Sequence, residues 1–176
     1  MAVKGKGARG KGYRAERKLR DILRKIYPTS ELKHNVQRIP MSGAGYIKGD
    51  VADNNDVDSC YEVKNQEQLH LHDWWRQTKS QAGSTRTPVL VVTQNFRPFY
   101  FIMMANDWSE MVQHTEYKNY TESTRVHTGS TFFDELADLS ERVCGAVTLD
   151  DDECYVISQS FYIDVKTSIY ESTVIQ

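Results

Sequence analysis

The sequence predicts an α/β (α+β) fold from three observations. Apolar residues recur at helical spacing over residues 13–27 and again over 71–82. Residues 88–94 form a continuous apolar run, which is typical of a central strand that is covered on both faces. Runs rich in β-branched and aromatic residues at 61–64 and 99–104 predict two further strands, so helices and strands alternate along the chain.

Composition is that of one soluble globular domain. The chain has 176 residues, of which 39% are hydrophobic and 26% are charged, so it can bury a core and is not a disordered sequence. It has no apolar run of about 18 residues for a membrane helix, and no apolar segment follows its basic N-terminus as in a secretory signal. We therefore expect no membrane partner. Cys60, Cys144 and Cys154 are an odd number and lack metal-ligand spacing, so we expect free thiols in a reducing compartment, which indicates a cytoplasmic location.

Charge is divided unevenly along the chain. Residues 1–26 carry a net charge of +8, residues 27–106 are neutral, and residues 107–176 carry −10. A basic end beside a neutral middle segment suits a polyanionic partner such as nucleic acid. We expect the acidic third to face away from that partner.

Residues 1–12 alternate glycine with basic residues and are predicted to form a flexible arm. The cations of this arm, which would bind phosphate, are Lys4, Lys6, Arg9 and Lys11. A solubilising terminus without a partner is the alternative.

The first helix is predicted over residues 13–27 and ends at the following proline. Its apolar stripe consists of Ala15, Leu19, Ile22, Leu23 and Ile26. Arg14 and Arg17 lie off this stripe. Glu16 lies beside the stripe, where it either pairs with Arg20 at i+4 or reaches a site against which the helix packs.

Residues 34–40 are predicted to form a strand at the edge of a sheet, because Pro40 cannot donate to a ladder. This strand carries Arg38. A glycine-rich loop over residues 41–49 follows, in which Ser42 either donates to a phosphate or belongs to a flexible turn.

The chemistry centres on Asp50, Glu62 and Lys64. Side chains alternate between faces along a strand, so Glu62 and Lys64 share one face. Turn-forming residues over 52–56 predict a hairpin that brings Asp50 beside them. Two converging carboxylates suit Mg²⁺, and a lysine beside them could orient a water or stabilise charge on a phosphoryl oxygen. A solvated ion pair without catalytic function is the alternative.

The helix predicted over residues 71–82 buries Trp74 and Trp75 and carries Gln77 and Gln81 one turn apart. These tryptophans are interpreted as core residues rather than as platforms for stacked bases.

The acidic third is predicted to contain a helix and a hairpin. Residues 131–147 show an amphipathic helical pattern. The acidic run 150–153 lacks the ligand spacing of a calcium loop and is interpreted as a solvated turn. Residues 155–157 and 161–165 are predicted to pair as a terminal hairpin.

The chain resembles the PD-(D/E)xK nuclease superfamily and, within it, the archaeal Holliday-junction resolvases and related phage-encoded endonucleases. The likeness covers roughly residues 11–105. The segments that carry it are Lys11 to Leu19, Arg38, Ser42-Gly43, Asp50, Glu62-Val63-Lys64 and the strand that begins Pro88-Val89-Leu90. This chain departs from the resolvases in a longer loop before Asp50 and in Gly49, which stands where the family carries a proline.

The resemblance implies a restriction-endonuclease-like fold, with a mixed central β-sheet flanked by helices. The nuclease core would span residues 13–106, after the arm of residues 1–12. Residues 107–176 would form an acidic C-terminal extension of helix and hairpin that packs on this core.

The resemblance also implies roles for individual residues. Asp50 and Glu62 would be catalytic metal ligands, with the Val63 carbonyl as a further oxygen, and Lys64 would orient the attacking water or stabilise charge. Glu16 would support this site from the first helix. The residues expected to bind DNA are Arg17, Arg38, Ser42, Arg14 and the cations of the arm. The cofactor would be Mg²⁺, with Mn²⁺ as a substitute.

The implied function is Mg²⁺-dependent, structure-selective cleavage of branched DNA, similar to that of a Holliday-junction resolvase in recombination. The alternatives are a restriction-like or nicking endonuclease on duplex DNA, and a nucleic-acid-binding accessory protein without catalysis. Symmetric resolution of a junction needs two active sites, so a homodimer is expected, joined through residues 96–101 or the C-terminal third. An intracellular protein, encoded by a phage in its host cell, fits this interpretation.

Overall fold

The computed structural model describes residues 6–40, 48–119, 123–139 and 144–174. Its helices are α1 (Lys6–Leu23), α2 (Ser30–His34), α3 (Leu71–Ala82), α4 (Ala105–Val112), α5 (Phe132–Ala137) and α6 (Gln159–Val174). Its strands are β1 (Val36–Arg38), β2 (Val51–Asp53), β3 (Ser59–Asn65), β4 (Thr87–Thr93), β5 (Tyr100–Met104), β6 (Ser123–Arg125), β7 (Cys144–Leu149) and β8 (Asp152–Ser158).

Within these described residues, eight strands form one mixed sheet in the order β1-β2-β3-β4-β5-β8-β7-β6. β3 runs parallel to β4, with α3 as the crossover between them, and β6 runs parallel to β7. The other neighbouring strands are antiparallel. The predicted mixed sheet flanked by helices is therefore confirmed, and β1 lies at its edge as the proline after it suggested.

The sheet is buried on both faces, which explains the continuous apolar run of β4. Val89 and Val91 pack in the core that α1, α4 and α6 cover. Leu90 and Val92 pack in the opposite core, beneath α3 and α5. A strand between two layers of helices has no polar face, so its sequence does not alternate.

The acidic third of the chain extends this sheet. β8 pairs with β5, placing Ile157 opposite Phe101, and β7 pairs with the other edge of β8. α6 then returns across the first core, where the Tyr162 ring stacks on Phe101 with 4.0 Å between ring centres. Residues beyond 106 thus help to bury the central strands.

The prediction of a helix over residues 131–147 is correct for its first turns and wrong after them. α5 ends at Ala137, and the chain resumes as strand β7. A Cβ at Gly145 would lie 3.0 Å from the side chain of Leu136, so this glycine lets the strand pack directly against the helix that precedes it. Pairing of β7 with β8 outweighs the helical spacing of the apolar residues.

The prediction of a terminal hairpin is also wrong. Residues 155–157 belong to β8, and residues 161–165 belong to α6. Phe161 and Val165 are both buried and lie one helical turn apart, a spacing that also fits alternate positions of a strand.

The first helix begins earlier than predicted. α1 starts at Lys6 instead of residue 13, so residues 6–12, which were predicted to belong to the flexible arm, are helical.

Cys60 and Cys154 are buried free thiols, as predicted. The side chain of Cys144 lies outside the described residues. Among the helices that the structure describes, none combines the length and the apolar character that crossing a membrane requires.

Candidate active site

Gly49 determines where Asp50 lies. Gly49 has a φ of +106°, and a Cβ at this position would lie 2.9 Å from the carbonyl oxygen of Tyr61. Proline, whose φ is near −65°, could not take this conformation. The amide of Asp50 donates to the Tyr61 carbonyl at 2.7 Å, and the Asp50 carbonyl accepts from the amide of Ile39 at 2.9 Å. Asp50 is therefore tied to the chain on both sides of it.

The carboxylate of Asp50 is held by β3. Its Oδ2 accepts a hydrogen bond from the Val63 amide at 2.9 Å. Burial raises the pKa of Asp50 to about 7, and the negative charge of Glu62 adds to this rise. Val63 thus enters the site through its N–H, while ligation by its carbonyl stays a prediction.

Glu62 is 3% exposed and has two unlike oxygens. Its Oε1 accepts hydrogen bonds from Lys64 Nζ at 2.7 Å and from Gln77 Nε2 at 2.9 Å. Its Oε2 is buried and has no hydrogen-bond partner among the described residues. A buried carboxylate oxygen without a partner is costly, so a water or cation bound at the adjoining cavity would stabilise this atom.

Lys64 and Gln77 complete a triangle with Glu62. Lys64 Nζ donates to Gln77 Oε1 at 3.0 Å as well as to Glu62. The sequence alone predicts no role for Gln77 in the site, because its position facing Glu62 depends on how the α3 crossover lies over β3. The signal available was that Gln77 lies on the helix that follows the Glu-x-Lys strand.

Glu16 joins the site from α1. It lines a cavity of about 460 Å³ together with Asp50 and Glu62. Its Oε2 accepts a hydrogen bond from Arg38 Nη1 at 2.8 Å, whereas Arg20 binds the aspartate that follows it. The charge of Glu16 contributes to the raised pKa of Asp50. The structure therefore brings the predicted acids to one cavity and gives Glu16 a different cationic partner.

Of the residues predicted to bind DNA, Lys11 lines this cavity, Arg38 is hydrogen-bonded to Glu16, which lines it, and Arg17 lies near Tyr13 on α1. The guanidinium carbons of Arg38 and Arg17 lie 4.5 Å and 5.8 Å from the ring centre of Tyr13. Lys11 lines the cavity, and its Nζ lies 3.2 Å from Glu67 Oε1. These cations lie where they could contact the backbone of a substrate.

The other residues predicted to bind DNA are less fully described. Arg14 is exposed on α1. Lys4 and Ser42 lie outside the described residues, as do the side chains of Lys6 and Arg9, whose backbone belongs to α1.

The donor set fits a hard divalent cation that retains waters. Within the described ranges, no three His, Cys, Asp or Glu side chains lie close enough together to hold a metal ion by themselves. Mg²⁺ commonly takes one or two protein carboxylates and completes its shell with water and substrate oxygens. A cation here would offset the mutual repulsion of Asp50 and Glu62 and would give Glu62 Oε2 a partner.

Comparison with known families agrees with this geometry. Residues 7–144 match the family described as "Phage putative PDDEXK endonuclease". The chain belongs to this family. The matched segment contains Asp50, Glu62 and Lys64, and it confirms the superfamily and the phage relationship that the sequence indicated. No curated protein and no solved structure matches the chain significantly.

The segment that matches this endonuclease family contains most strands of the sheet but not all of them. The match ends at residue 144, where β7 begins. The remainder of β7, β8 and α6 lie beyond it, although β8 and α6 complete the core on which the active-site strands rest.

Proposed function

We propose that this protein is a Mg²⁺-dependent DNA endonuclease that hydrolyses phosphodiester bonds in branched DNA, in the manner of a Holliday-junction resolvase. The observation that carries the proposal is the pair formed by the buried Glu62 and the partly buried Asp50, with the ammonium of Lys64 2.7 Å from Glu62 at the same cavity.

Asp50 and Glu62 would hold the ion, with the Val63 carbonyl as a further oxygen. The ion would supply positive charge that stabilises the phosphate as it gains negative charge during hydrolysis. Mn²⁺ would substitute, since it also binds carboxylate and water oxygens.

Lys64 would act on the reacting atoms directly. Glu62 and Gln77 fix its ammonium from two sides, so it is pre-oriented at the cavity. There it would orient the attacking water or stabilise charge on the phosphoryl oxygens. In this reaction the water oxygen forms a bond to phosphorus, the bond to the leaving oxygen breaks, and the leaving oxygen gains a proton.

Glu16 would act as a positioning residue for the DNA-binding side of the site. Its hydrogen bond holds Arg38 at the cavity. Arg38 and Arg17 would bind backbone phosphates, with Ser42 and the N-terminal cations adding contacts. Such contacts recognise the course of the backbone rather than the base sequence.

A homodimer would supply two active sites for a symmetric junction. Of the aromatic side chains between residues 96 and 101, all described by the structure, Phe96 alone is exposed, whereas Phe99, Tyr100 and Phe101 are buried. A dimer formed through this segment would therefore depend on Phe96, whereas a dimer formed through the C-terminal third would leave Phe96 exposed. The solution mass at micromolar concentration tests the dimer, and a monomeric mass would contradict it.

The deciding experiment is cleavage of a labelled panel containing a four-way junction, a flap, a linear duplex and a single strand, with Mg²⁺. Wild-type protein is compared with Asp50→Asn, which keeps the shape of the side chain and removes its charge. We expect branched DNA to be cut by the wild type and to be left intact by the variant.

Other outcomes would redirect the proposal. Equal cutting of the linear duplex would favour a restriction-like or nicking endonuclease. Binding without cleavage by either protein would favour a nucleic-acid-binding accessory protein.

A further inference from the structure

A second groove continues from the active-site cavity along α1. It has a volume of about 380 Å³ and shares Lys11 and Asn65 with the cavity. Its basic side chains are Lys11, Arg14, Lys18 and Arg97. Among the described residues, no carboxylate lines it. The groove thus offers a continuous cationic path away from the site where the carboxylates lie.

The cations of this groove are available to a polyanion. Arg14 and Lys18 are exposed and form no ion pair with any residue that the structure describes. Lys11 pairs with Glu67, and Arg97 pairs with Asp134, but both partners are largely exposed. Exposed ion pairs contribute little to stability, so phosphates could replace these carboxylates at small cost.

Phe96 stands at the rim of this groove, in the turn between β4 and β5. Its side chain is fully exposed, with a relative accessibility of 107%. Its φ of +63° lies in the left-handed region, which is unfavourable for a bulky residue. An exposed ring in a strained backbone adds nothing to the core, so folding does not account for phenylalanine at this position.

The turn holds Phe96 in place by hydrogen bonds on both sides. Asn95 Nδ2 donates to Glu67 Oε1 at 2.6 Å, and the amide of Arg97 donates to the Gln94 carbonyl at 3.1 Å. These hydrogen bonds fix the backbone on both sides of Phe96, so the exposed ring projects from this turn beside the cations, where a base could stack on it.

We propose that this groove guides one strand of the substrate DNA away from the active site, and that Phe96 stacks on an unpaired base of that strand. The inference rests on the proposed nuclease function and deepens it, because it names the feature that would be recognised. A continuous duplex hides its base faces, so Phe96 would favour DNA with unpaired bases at a branch. Stacking is tolerant of sequence because every base has a π face.

The test measures binding in the absence of divalent metal, so that cleavage is not required. The probe is a splayed-arm duplex carrying 2-aminopurine at its first unpaired positions, compared with a linear duplex of equal length. We expect Phe96→Ala to weaken splayed-arm binding by about tenfold, to change linear-duplex binding by less than about twofold, and to abolish the change in 2-aminopurine fluorescence that binding of the wild type produces. Phe96→Trp, which keeps an aromatic ring, should retain both the preference for the splayed-arm DNA and the change in 2-aminopurine fluorescence.

Val57→Ala is the matched control, because Val57 is 67% exposed on the β2–β3 turn and lies outside the groove. It should bind both DNAs as the wild type does. Unchanged discrimination by Phe96→Ala, or an equal loss on both DNAs, would overturn the inference. A lower solution mass for Phe96→Ala with unchanged discrimination would assign Phe96 to a protein interface instead. Phe96-dependent binding by a protein that cuts none of the panel would uphold the inference and refute the nuclease.

Discussion

The β2–β3 hairpin carries two carboxylates near its open end and two buried or partly buried ones near its turn, apart from the exposed Asp58, and the protein surrounds the two pairs differently. Asp50 and Glu62 lie near the open end, and Asp53 and Asp56 lie near the turn. Both pairs are substantially buried acids on the same short stretch of chain. Their difference therefore arises from what the surrounding helices donate to them.

Near the turn, both acids accept hydrogen bonds from side chains of other elements. Asp53 Oδ2 accepts from the Tyr27 hydroxyl at 2.6 Å. Asp56 Oδ2 accepts from Lys166 Nζ of α6 at 2.5 Å and from the Tyr61 hydroxyl at 3.2 Å. This cluster links Tyr27 and α6 to the sheet, and among the described residues no buried oxygen of Asp53 or Asp56 lacks a hydrogen-bond partner.

At the open end, one carboxylate oxygen lacks a hydrogen-bond donor among the described residues. Glu62 Oε2 has no partner among the described residues, and the pKa of Asp50 is raised to about 7 by burial and by the charge of Glu62. The same residue types thus stabilise the fold near the turn, where donors satisfy them, whereas at the open end the proposed cation would supply the partner that Glu62 Oε2 lacks.

Glu62→Gln should produce the largest change. It keeps an acceptor for Lys64 but removes one of the two charges that would hold the cation. We expect the cleavage rate to fall by about a thousandfold or more, equivalent to about 4 kcal/mol, with DNA affinity changed little. Single-turnover cleavage and binding assays measure the two effects. A wild-type cleavage rate would contradict the assignment of this pair.

Lys166→Met should break the cluster near the turn instead. Lys166 is 8% exposed, and its loss would leave Asp56 as a buried charge without its cation. We expect the free energy of unfolding to fall by about 3 kcal/mol, as measured by urea denaturation. The double variant Lys166→Met/Asp56→Asn should recover much of this loss. A cleavage defect per folded molecule would show that the two clusters are not independent.

Asp50→Asn should change how the free energy of unfolding depends on pH. The raised pKa means that native Asp50 keeps its proton between about pH 4 and 7 while the unfolded chain has lost it, so stability falls as pH rises through that range. Without metal, wild-type stability should fall relative to the variant by roughly 2 kcal/mol between pH 5 and 8.

Binding of Mg²⁺ should offset the loss of wild-type stability at high pH. Mg²⁺ at pH 8 should raise the Tm of the wild type and leave that of Asp50→Asn nearly unchanged, because the variant lacks one of the two charges. Parallel pH profiles for the two proteins in the absence of metal would refute the electrostatic account.

Gln77→Leu should have the smallest effect of these four changes. Gln77 orients Glu62 and Lys64 without being expected to bind the cation itself. We expect cleavage to slow by about ten- to a hundredfold while Tm changes little. Gln81→Leu, one turn further along α3, is the matched control and should cut at the wild-type rate. Equal rates for the two variants would exclude a positioning role for Gln77.

The sequence predicted the central part of the fold because local periodicity is decisive there. Alternation along β3 placed Glu62 and Lys64 on one face, and their 2.7 Å contact agrees with it. The turn-rich stretch over residues 52–56 predicted the hairpin that brings Asp50 beside them. α3 spans the predicted residues, ends at Ala82 and is capped by Gly83.

Local periodicity failed in the last third of the chain. The apolar spacing within residues 131–147 and 155–165 is compatible with either a helix or a strand. Whether such a segment is a strand depends on a partner elsewhere, and here β8 has β5 and β7 as its neighbours. Pairing between residues about 50 positions apart cannot be read from a short window.

By itself, the sequence determined the chemistry of the site, namely two acids and a lysine on a hairpin, because residue type and strand alternation are local properties. Tertiary structure decided which groups complete that site. Glu16 binds Arg38, 22 residues away, instead of Arg20 on its own helix, and Gln77 reaches Glu62 across the crossover. Such contacts depend on how helices pack on a sheet, so each needs the whole fold before its partner is defined.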